Sequence, residues 1–451
     1  MINKNIFKKT LSAAAVVAGL SAIQVAEAAN WLMLQGTERP GAAGRAKVWG
    51  FIQAQYQNDS SDPATIGPDT DAYIPPKLIG PNLTSQEQFN VNRARIGVRG
   101  IGMPLDSSVN YFLLAELGNN AITANDGDVA ISDASITMNT DLTRIRMGLF
   151  KTPGMEEGLQ AIHVFDYINF TTVGNQLMLE RLPNTTYTAN IAPAKLPNPA
   201  GINGFNRPVA AFRDTGIQFF DSFKSGKWDH SYAVMIGNGN GLNFGDIDGN
   251  KDTYVYWSSE LGYGGKGPRA QGLKLFAWSQ SGKRLLDNTD DSTVNPVEYD
   301  RTRQGVGVKY LKMPHRVTFE HVSGEGMIFV GPHAATFDMN PSAAPGNGEN
   351  GKSSGYYLDY GYYVPKSKWQ FDVRYDFYNR LEGDVFETEW TKTTVGFNYH
   401  VNKKSRVTVN YEMRDVIAPG FATTGTPPQQ GPNMNLQGIG DRVSAQYTHI
   451  F

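Results

Sequence analysis

No cysteine occurs among the 451 residues, which excludes disulfide staples, thiolate metal sites and a cysteine nucleophile. Beyond the extreme N-terminus, no apolar run approaches the ~18 residues a membrane helix needs. Neither charge dominates: 41 Lys and Arg face 43 Asp and Glu, so nothing marks a nucleic-acid binder. The seven histidines have no zinc-type spacing. A hydrophobic share of 40% is thin material for a large soluble core. What the chain does have is glycine (48), tyrosine (21), phenylalanine (23) and period-two alternation along most of its length.

The N-terminus reads as an export signal. Lys4, Lys8 and Lys9 precede the apolar run Leu11 to Ile23, and Ala26-Glu27-Ala28 supplies a small-x-small cleavage pattern. Residues 1–28 are therefore expected to be removed, with a periplasmic arm at 29–44 and the main body at 45–451. That body is expected to be all-β: a transmembrane antiparallel barrel of about sixteen strands.

The evidence for a barrel is the rhythm of the gaps. Strand-like runs fall at about 45–57, 88–101, 107–118, 129–139 and 142–152, then 209–223, 226–237, 252–263 and 269–280. They continue at about 300–312, 315–323, 353–364, 368–379, 388–401 and 405–415, with a last one ending at Phe451. Short connections (Thr140-Asp141, Lys224-Ser225, Met313-Pro314, Pro365-Lys366-Ser367) alternate with long ones. Short periplasmic turns and long outer loops in a barrel give this rhythm, and put both termini on the periplasmic side. A soluble sandwich gives no reason for it.

The third long gap, 153–208, is different in kind. It is too long for an ordinary connection and, with Met155, Leu159, Ile162, Phe165, Ile168 and Leu177, too apolar for disorder. It is expected to fold back into the barrel mouth and set the size of the hole.

Alternate faces of the strands differ as a barrel requires. Trp369, Phe371, Val373, Tyr375 and Phe377 interleave with Gln370, Asp372, Arg374 and Asp376. A charge facing lipid at mid-membrane costs ~2–4 kcal/mol, so the polar faces must point into a wet lumen. In the first, eighth and ninth runs the two faces cannot be told apart. By the same cost Arg93, Arg95 and Arg99 point inward, as do Arg144 and Arg146, and Arg301, Arg303 and Lys309. Two readings of these cations stand: a ladder that hands anions along the passage, or struts paired with Glu116, Asp133, Glu260, Glu320, Asp372 and Glu412.

The runs Asn92-Arg93-Ala94-Arg95-Ile96-Gly97-Val98 and Ile145-Arg146-Met147-Gly148-Leu149-Phe150-Lys151-Thr152-Pro153-Gly154, then Glu156-Glu157, resemble the phosphate-selective porin O and P family. The resemblance implies a sixteen-stranded, trimeric, anion-preferring channel of the bacterial outer membrane, with Arg93, Arg95 and Lys151 as constriction cations. Its partners would be inorganic anions or small solutes, and outer-membrane lipid and lipopolysaccharide. The segment departs from the family pattern. It carries Glu156, Glu157, Asp166 and Glu180 against only Arg181, Lys195 and Arg207, and is not lysine-rich, so general anion or small-solute passage is the expectation.

Other motifs fail on context. Gly346-Asn347-Gly348-Glu349-Asn350-Gly351-Lys352-Ser353 matches a P-loop, but an aromatic strand follows where a helix is required. Gly351-Lys352-Ser353-Ser354-Gly355 mimics a hydrolase elbow without its strand-to-helix turn. Asp246, Asp248, Asn250 and Asp252 alternate, but Lys251 and Trp257 stand where an EF-hand needs Gly and Glu. No cofactor or metal is called for, and a non-enzymatic channel is the expectation. The alternatives are a barrel that holds or receives a partner protein, and an outer-membrane barrel enzyme.

Overall fold

The computed structural model describes residues 30–34, 46–61, 64–65, 72–73, 86–101, 108–120, 129–179, 212–242, 246, 249–264, 270–286, 297–328, 351–384, 387–422, 433 and 436–451. The leader expected at 1–28, most of the arm expected at 29–44, and residues 180–208 with Glu180, Arg181, Lys195 and Arg207 lie outside these.

Eighteen strands are present among the described residues. β1 (Lys47–Asp59) is followed by a two-rung ribbon, β2 (Ala64–Thr65) and β3 (Ala72–Tyr73), inside the first long connection. Then come β4 (Glu87–Ile101), β5 (Val109–Glu116), β6 (Ala130–Asn139), β7 (Arg144–Lys151), β8 (Arg213–Ser225) and β9 (Trp228–Gly237). β10 (Asp252–Gly264), β11 (Gln271–Leu286), β12 (Val297–Lys312) and β13 (His315–Glu325) continue the order. β14 (Lys352–Tyr363), β15 (Trp369–Arg380), β16 (Thr388–His400), β17 (Ser405–Ile417) and β18 (Arg442–Ile450) complete it. Apart from the ribbon, all pair antiparallel with their chain neighbours, and β18 closes on β1 from Phe51↔Ile450 to Asp59↔Arg442. The result is a closed sixteen-strand transmembrane barrel with no exposed sheet edge.

The alternation in sequence becomes an inside and an outside. On β15, Trp369, Phe371, Val373 and Tyr375 are exposed on the outer wall, whereas Gln370, Asp372, Arg374 and Asp376 are buried within. Leu358, Ile52, Val306 and Val443 extend the outer apolar surface around the barrel. An unpaired charge there has no partner but hydrocarbon, so the polar set turns inward.

The strands that were ambiguous in sequence carry apolar side chains on both faces. β1 turns Trp49 and Phe51 inward and Ile52 outward; β10 buries Tyr254 and Tyr256 and exposes Val255 and Trp257. β11 buries Phe276 and Trp278, whose rings lie over Gly307 and Gly305 of β12. A Cβ on Gly307 would come within 2.3 Å of the Phe276 ring, so these glycines make room for aromatics inside the wall. The lumen on this side holds a hydrophobic core. Phe220, Ala233, Tyr256, Phe276 and Trp278 meet Met155, Leu159, Val173 and Leu177, together with Trp31 and Leu32. Burying each large apolar side chain is worth ~1.5–3 kcal/mol.

Trp31 and Leu32 belong to one helical turn, Trp31–Leu34, that packs against the wall near the short-turn end. Asn30 Nδ2 donates to Ser231 Oγ of β9, and Lys309 of β12 lies 5.8 Å from the Trp31 ring centre.

Placing a guanidinium on the outer wall tests this orientation. Leu358→Arg is expected to destabilise the folded barrel by ~2–4 kcal/mol, read as a lowered urea midpoint in lipid vesicles. An unchanged midpoint would mean that this face does not meet hydrocarbon.

Candidate functional site: the segment after β7 and the cations around it

Residues 152–179 leave β7 and cross to the opposite wall as short pieces: one helical turn (Glu156–Leu159), a 3₁₀ turn (Ile162–Val164) and a π turn (Gly174–Met178). Polar contacts with the buried faces of the strands hold it, and its acids do much of the holding. Lys274 Nζ donates to Glu156 Oε2 at 2.7 Å and Lys309 Nζ to Oε1 at 3.0 Å. Burial alone would raise the Glu156 carboxyl; the two ammonium groups overcome that and hold it at about 2. The Glu156 amide donates to Glu320 at 3.1 Å, and Glu320 also receives Trp278 Nε1 and Tyr357 Oη.

Glu157 accepts from Thr171, both amide and hydroxyl, and faces Arg374 Nη1 at 3.3 Å. Asp166 sits between Arg316 (3.3 Å) and Arg406 (3.7 Å) and accepts from Gln370 Nε2 at 3.0 Å. Further along, Asn169 donates to Glu412 and the Thr172 amide to Asp376, while Lys392 caps the Phe170 carbonyl. Each of the three described segment acids is therefore turned toward cations of the far wall. These three acids serve as the segment's clamps.

The sequence-predicted cations divide into several settings. Arg93, Arg95 and Lys151 come together, with Arg213 of β8, around one cleft beside the segment. Arg95 Nε is paired with Glu116 at 2.7 Å and Arg213 Nη2 with Asp133 at 3.0 Å. Arg93 Nη1 donates to Gln53 Oε1 at 3.0 Å and lies 6.0 Å from the Phe170 ring centre. Lys151 Nζ donates to the carbonyls of Gln160 (2.7 Å) and Leu159 (3.3 Å). Among the described residues, neither Arg93 nor Lys151 has a carboxylate within ion-pair distance. Arg99 lies over Trp49 at 5.7 Å.

The remaining predicted cations lie apart from this cleft. Arg144 pairs with Asp221 at 2.5 Å beside the turn that opens β7, and Arg146 rests 4.4 Å from the Phe220 ring centre. Arg301 pairs with Asp252 at 3.2 Å; Arg303 binds the carbonyls of Thr302, Glu325, Gly326 and Met327. Lys309 is a segment clamp. Of the six carboxylates suggested as struts, Glu116 pairs with the predicted Arg95, and four pair with other cations: Asp133 with Arg213, Glu260 with Lys274, Asp372 with Arg316, Glu412 with Lys392. Glu320 instead accepts from the Glu156 amide, Trp278 and Tyr357.

Sequence reasoning did not single out Arg213, Lys274, Arg316 and Lys392, and it placed Arg374 and Arg406 on inward faces without naming them as site residues. Their inward alternation was the signal that could have found them.

His163 packs its half-buried ring against Phe51 (5.1 Å) and Trp49 (5.8 Å). Burial, with the nearby cations Lys151, Arg406, Arg95 and Arg99, pushes its imidazole down to about 3. On the outer wall His230 Nδ1 contacts Ser259 Oγ at 2.8 Å, but Trp257 Nε1 also donates to that hydroxyl and both rings lie against Phe223, His230 tilted and Trp257 edge-on. Among the described residues no carboxylate orients His230, so this is an aromatic cluster rather than a triad. The P-loop lookalike runs into β14 at Lys352 and Ser353, a strand where nucleotide binding needs a helix. No group of three or more metal-binding side chains occurs among the described residues.

No protein-family model and no curated protein matches the chain. Solved structures do. OmpF of Salmonella typhi, in complex with daunomycin, superposes with a TM-score of 0.52 at 12% identity, over 90% of this chain and 97% of that one. The outer-membrane expressed OmpT of Vibrio cholerae gives 0.50 at 8% identity, over 90% and 97%. Its loop L8 deletion mutant gives 0.50 at 10%, over 90% and 99%. At these identities the likeness shows a shared barrel fold.

Two tests follow from the clamps. Glu156→Gln or Asp166→Asn leaves buried cations uncompensated, a loss of ~3–5 kcal/mol when one partner of a buried pair is removed. The segment is then expected to be cut faster by added protease, with the barrel intact. The second test is pH. A ring held near 3 when docked, against 6.5 free, favours the docked segment fully above pH 6.5 and progressively less as pH falls toward 3. Glu156 contributes fully above 4.5 and loses its contribution only as pH falls toward 2. Glu157, held up at about 7 when docked against 4.5 free, works the other way and favours docking more as pH falls from 7 toward 4.5. His163→Gln, which removes the opposing ring, should therefore lower the ratio of cleavage at pH 4.5 to cleavage at pH 7.

Proposed function

We propose that the chain is an outer-membrane diffusion channel for small hydrophilic solutes, with a preference for anions. Its narrowest passage lies between the segment at 153–179, folded into the lumen, and the cationic wall of β4, β7 and β8. The observation that carries this reading is the placement of Arg93 and Lys151. Both face the cleft, and both are held by neutral acceptors instead of carboxylates. The membrane-spanning barrel, shared with outer-membrane proteins, supports the location. A homotrimer in contact with lipid and lipopolysaccharide is the assembly that the family resemblance implies. Phosphate preference has weaker support, because Arg95 and Arg213 are engaged by Glu116 and Asp133 instead of converging on an open cage.

A second reading is a partner-holding barrel. It draws on the dense filling of the lumen, where even Arg301, Arg374 and Ser258 are fully buried.

Reversal potential in a planar bilayer under a salt gradient separates the two. Stepwise current with anion preference, reduced by Arg93→Gln or Lys151→Gln, is the expected result. Cation preference would demote those side chains to struts. No current from folded protein would favour the partner-holding barrel.

A further inference from the structure

The cleft beside the segment is small and unevenly lined. Arg93, Arg95, Lys151 and Arg213 form one side; the other mixes Glu157 and Gln160 with the apolar Ile162, Phe170 and Phe212. Its water-accessible volume is about 20 Å³, room for about one water molecule. An ion seated in this cleft would have to shed most of its hydration shell. What replaces that shell decides which ion passes.

The wall offers charge but few uncommitted donors. The Arg95 and Arg213 guanidiniums already bind Glu116 and Asp133, Arg93 binds Gln53, and Lys151 binds two carbonyls of the segment itself. Opposite them Glu157 is taken up by Thr171 and Arg374, and the Gln160 amide donates to the Val164 carbonyl. Ile162 and Phe170 complete that side, and neither side chain can hydrogen-bond an oxyanion. The Phe170 ring sits beside the Arg93 guanidinium, so the cation itself is bordered by hydrocarbon.

The cleft therefore attracts negative charge without rebuilding a strong hydration shell. Desolvating a polar or charged group without replacement contacts is heavily unfavourable, and the penalty grows with charge density. Resting on the channel reading above, we propose that this passage selects anions by ease of dehydration. Weakly hydrated monovalent anions such as thiocyanate and nitrate pass ahead of chloride, and strongly hydrated hydrogenphosphate and sulfate pass poorly. A cleft built for phosphate would instead converge several charge-assisted donors on one point.

The experiment is a set of bi-ionic reversal potentials with the purified protein in planar bilayers. Potassium chloride faces the thiocyanate, nitrate, phosphate or sulfate salt in turn. The expected order is thiocyanate, nitrate, chloride, with phosphate and sulfate at least about tenfold below chloride. Ile162→Asn and Phe170→Ser each bring a hydrogen-bonding group to the apolar side and should narrow the thiocyanate-to-sulfate ratio. Phe170→Leu, which keeps that side apolar, should preserve it. Folding of each variant is checked by heat-modifiable migration on gels, and the surviving variants carry the comparison.

Phosphate at or above chloride, or an order that follows ionic size, overturns the inference while leaving the channel. A ratio unmoved in the folded polar variants overturns it as well. Absence of current in every salt removes the channel reading and this inference with it.

Discussion

A charge that cannot face lipid must go inside, and a charge inside needs a partner. The outer wall is apolar because a misplaced guanidinium there costs ~2–4 kcal/mol. The inward faces of β11 to β18 consequently collect Lys274, Arg316, Arg374, Lys392, Arg406, Arg414 and Arg442 within one confined space. Asp59 neutralises both Arg414 and Arg442 at the β1–β18 seam. Most of the others find their counter-charges on the segment that crosses from β7. Barrel wall and segment are thus two halves of one electrostatic solution.

That division leaves the lumen lopsided. The segment spends its carboxylates on cations of the far wall, so toward β4 and β7 it turns Ile162, Phe170 and the carbonyls of Leu159 and Gln160. It faces Arg93 and Lys151, held by neutral acceptors, beside Arg95, paired with Glu116. In an eyelet with acids on one side and bases on the other, opposed charges would set the local field. Here the segment acid beside the cleft, Glu157, is already paired with Arg374. Polarity of the lumen as a whole says little about the passage itself, which depends on how the segment is turned.

The sequence made the barrel legible because the barrel obeys a rule that repeats. Strand limits read from alternation fall within a few residues of those in the structure at nearly every position; β10 begins at Asp252 and β15 spans Trp369–Arg380, against 252–263 and 368–379 expected. The longest miss is β11, which runs on to Leu286 because the polar alternation of Ser281 to Arg284 looks like loop. Inward placement of Arg93, Arg95 and Arg99 was readable for the same reason. Their partners were not. Which carboxylate meets Arg95, or that Glu156 would meet Lys274 and Lys309, depends on register between strands far apart in the chain. The two-faced apolar strands β1, β10 and β11 resisted reading because their inner aromatics serve a core inside the barrel, a use that a purely wet lumen would not have.

The contacts that hold the segment also order events in time. Ile168 bonds to Asn410 across 242 residues of chain, and Thr172 to Asp376 across 204. At the moment residues 153–179 leave the exporting machinery, the wall that will receive them has not been delivered. The segment must wait, its acids solvated, until β15 to β17 are in place to template it. Its docking is therefore a late event laid upon a finished wall, and the same contacts can open again without unzipping a single pair of strands.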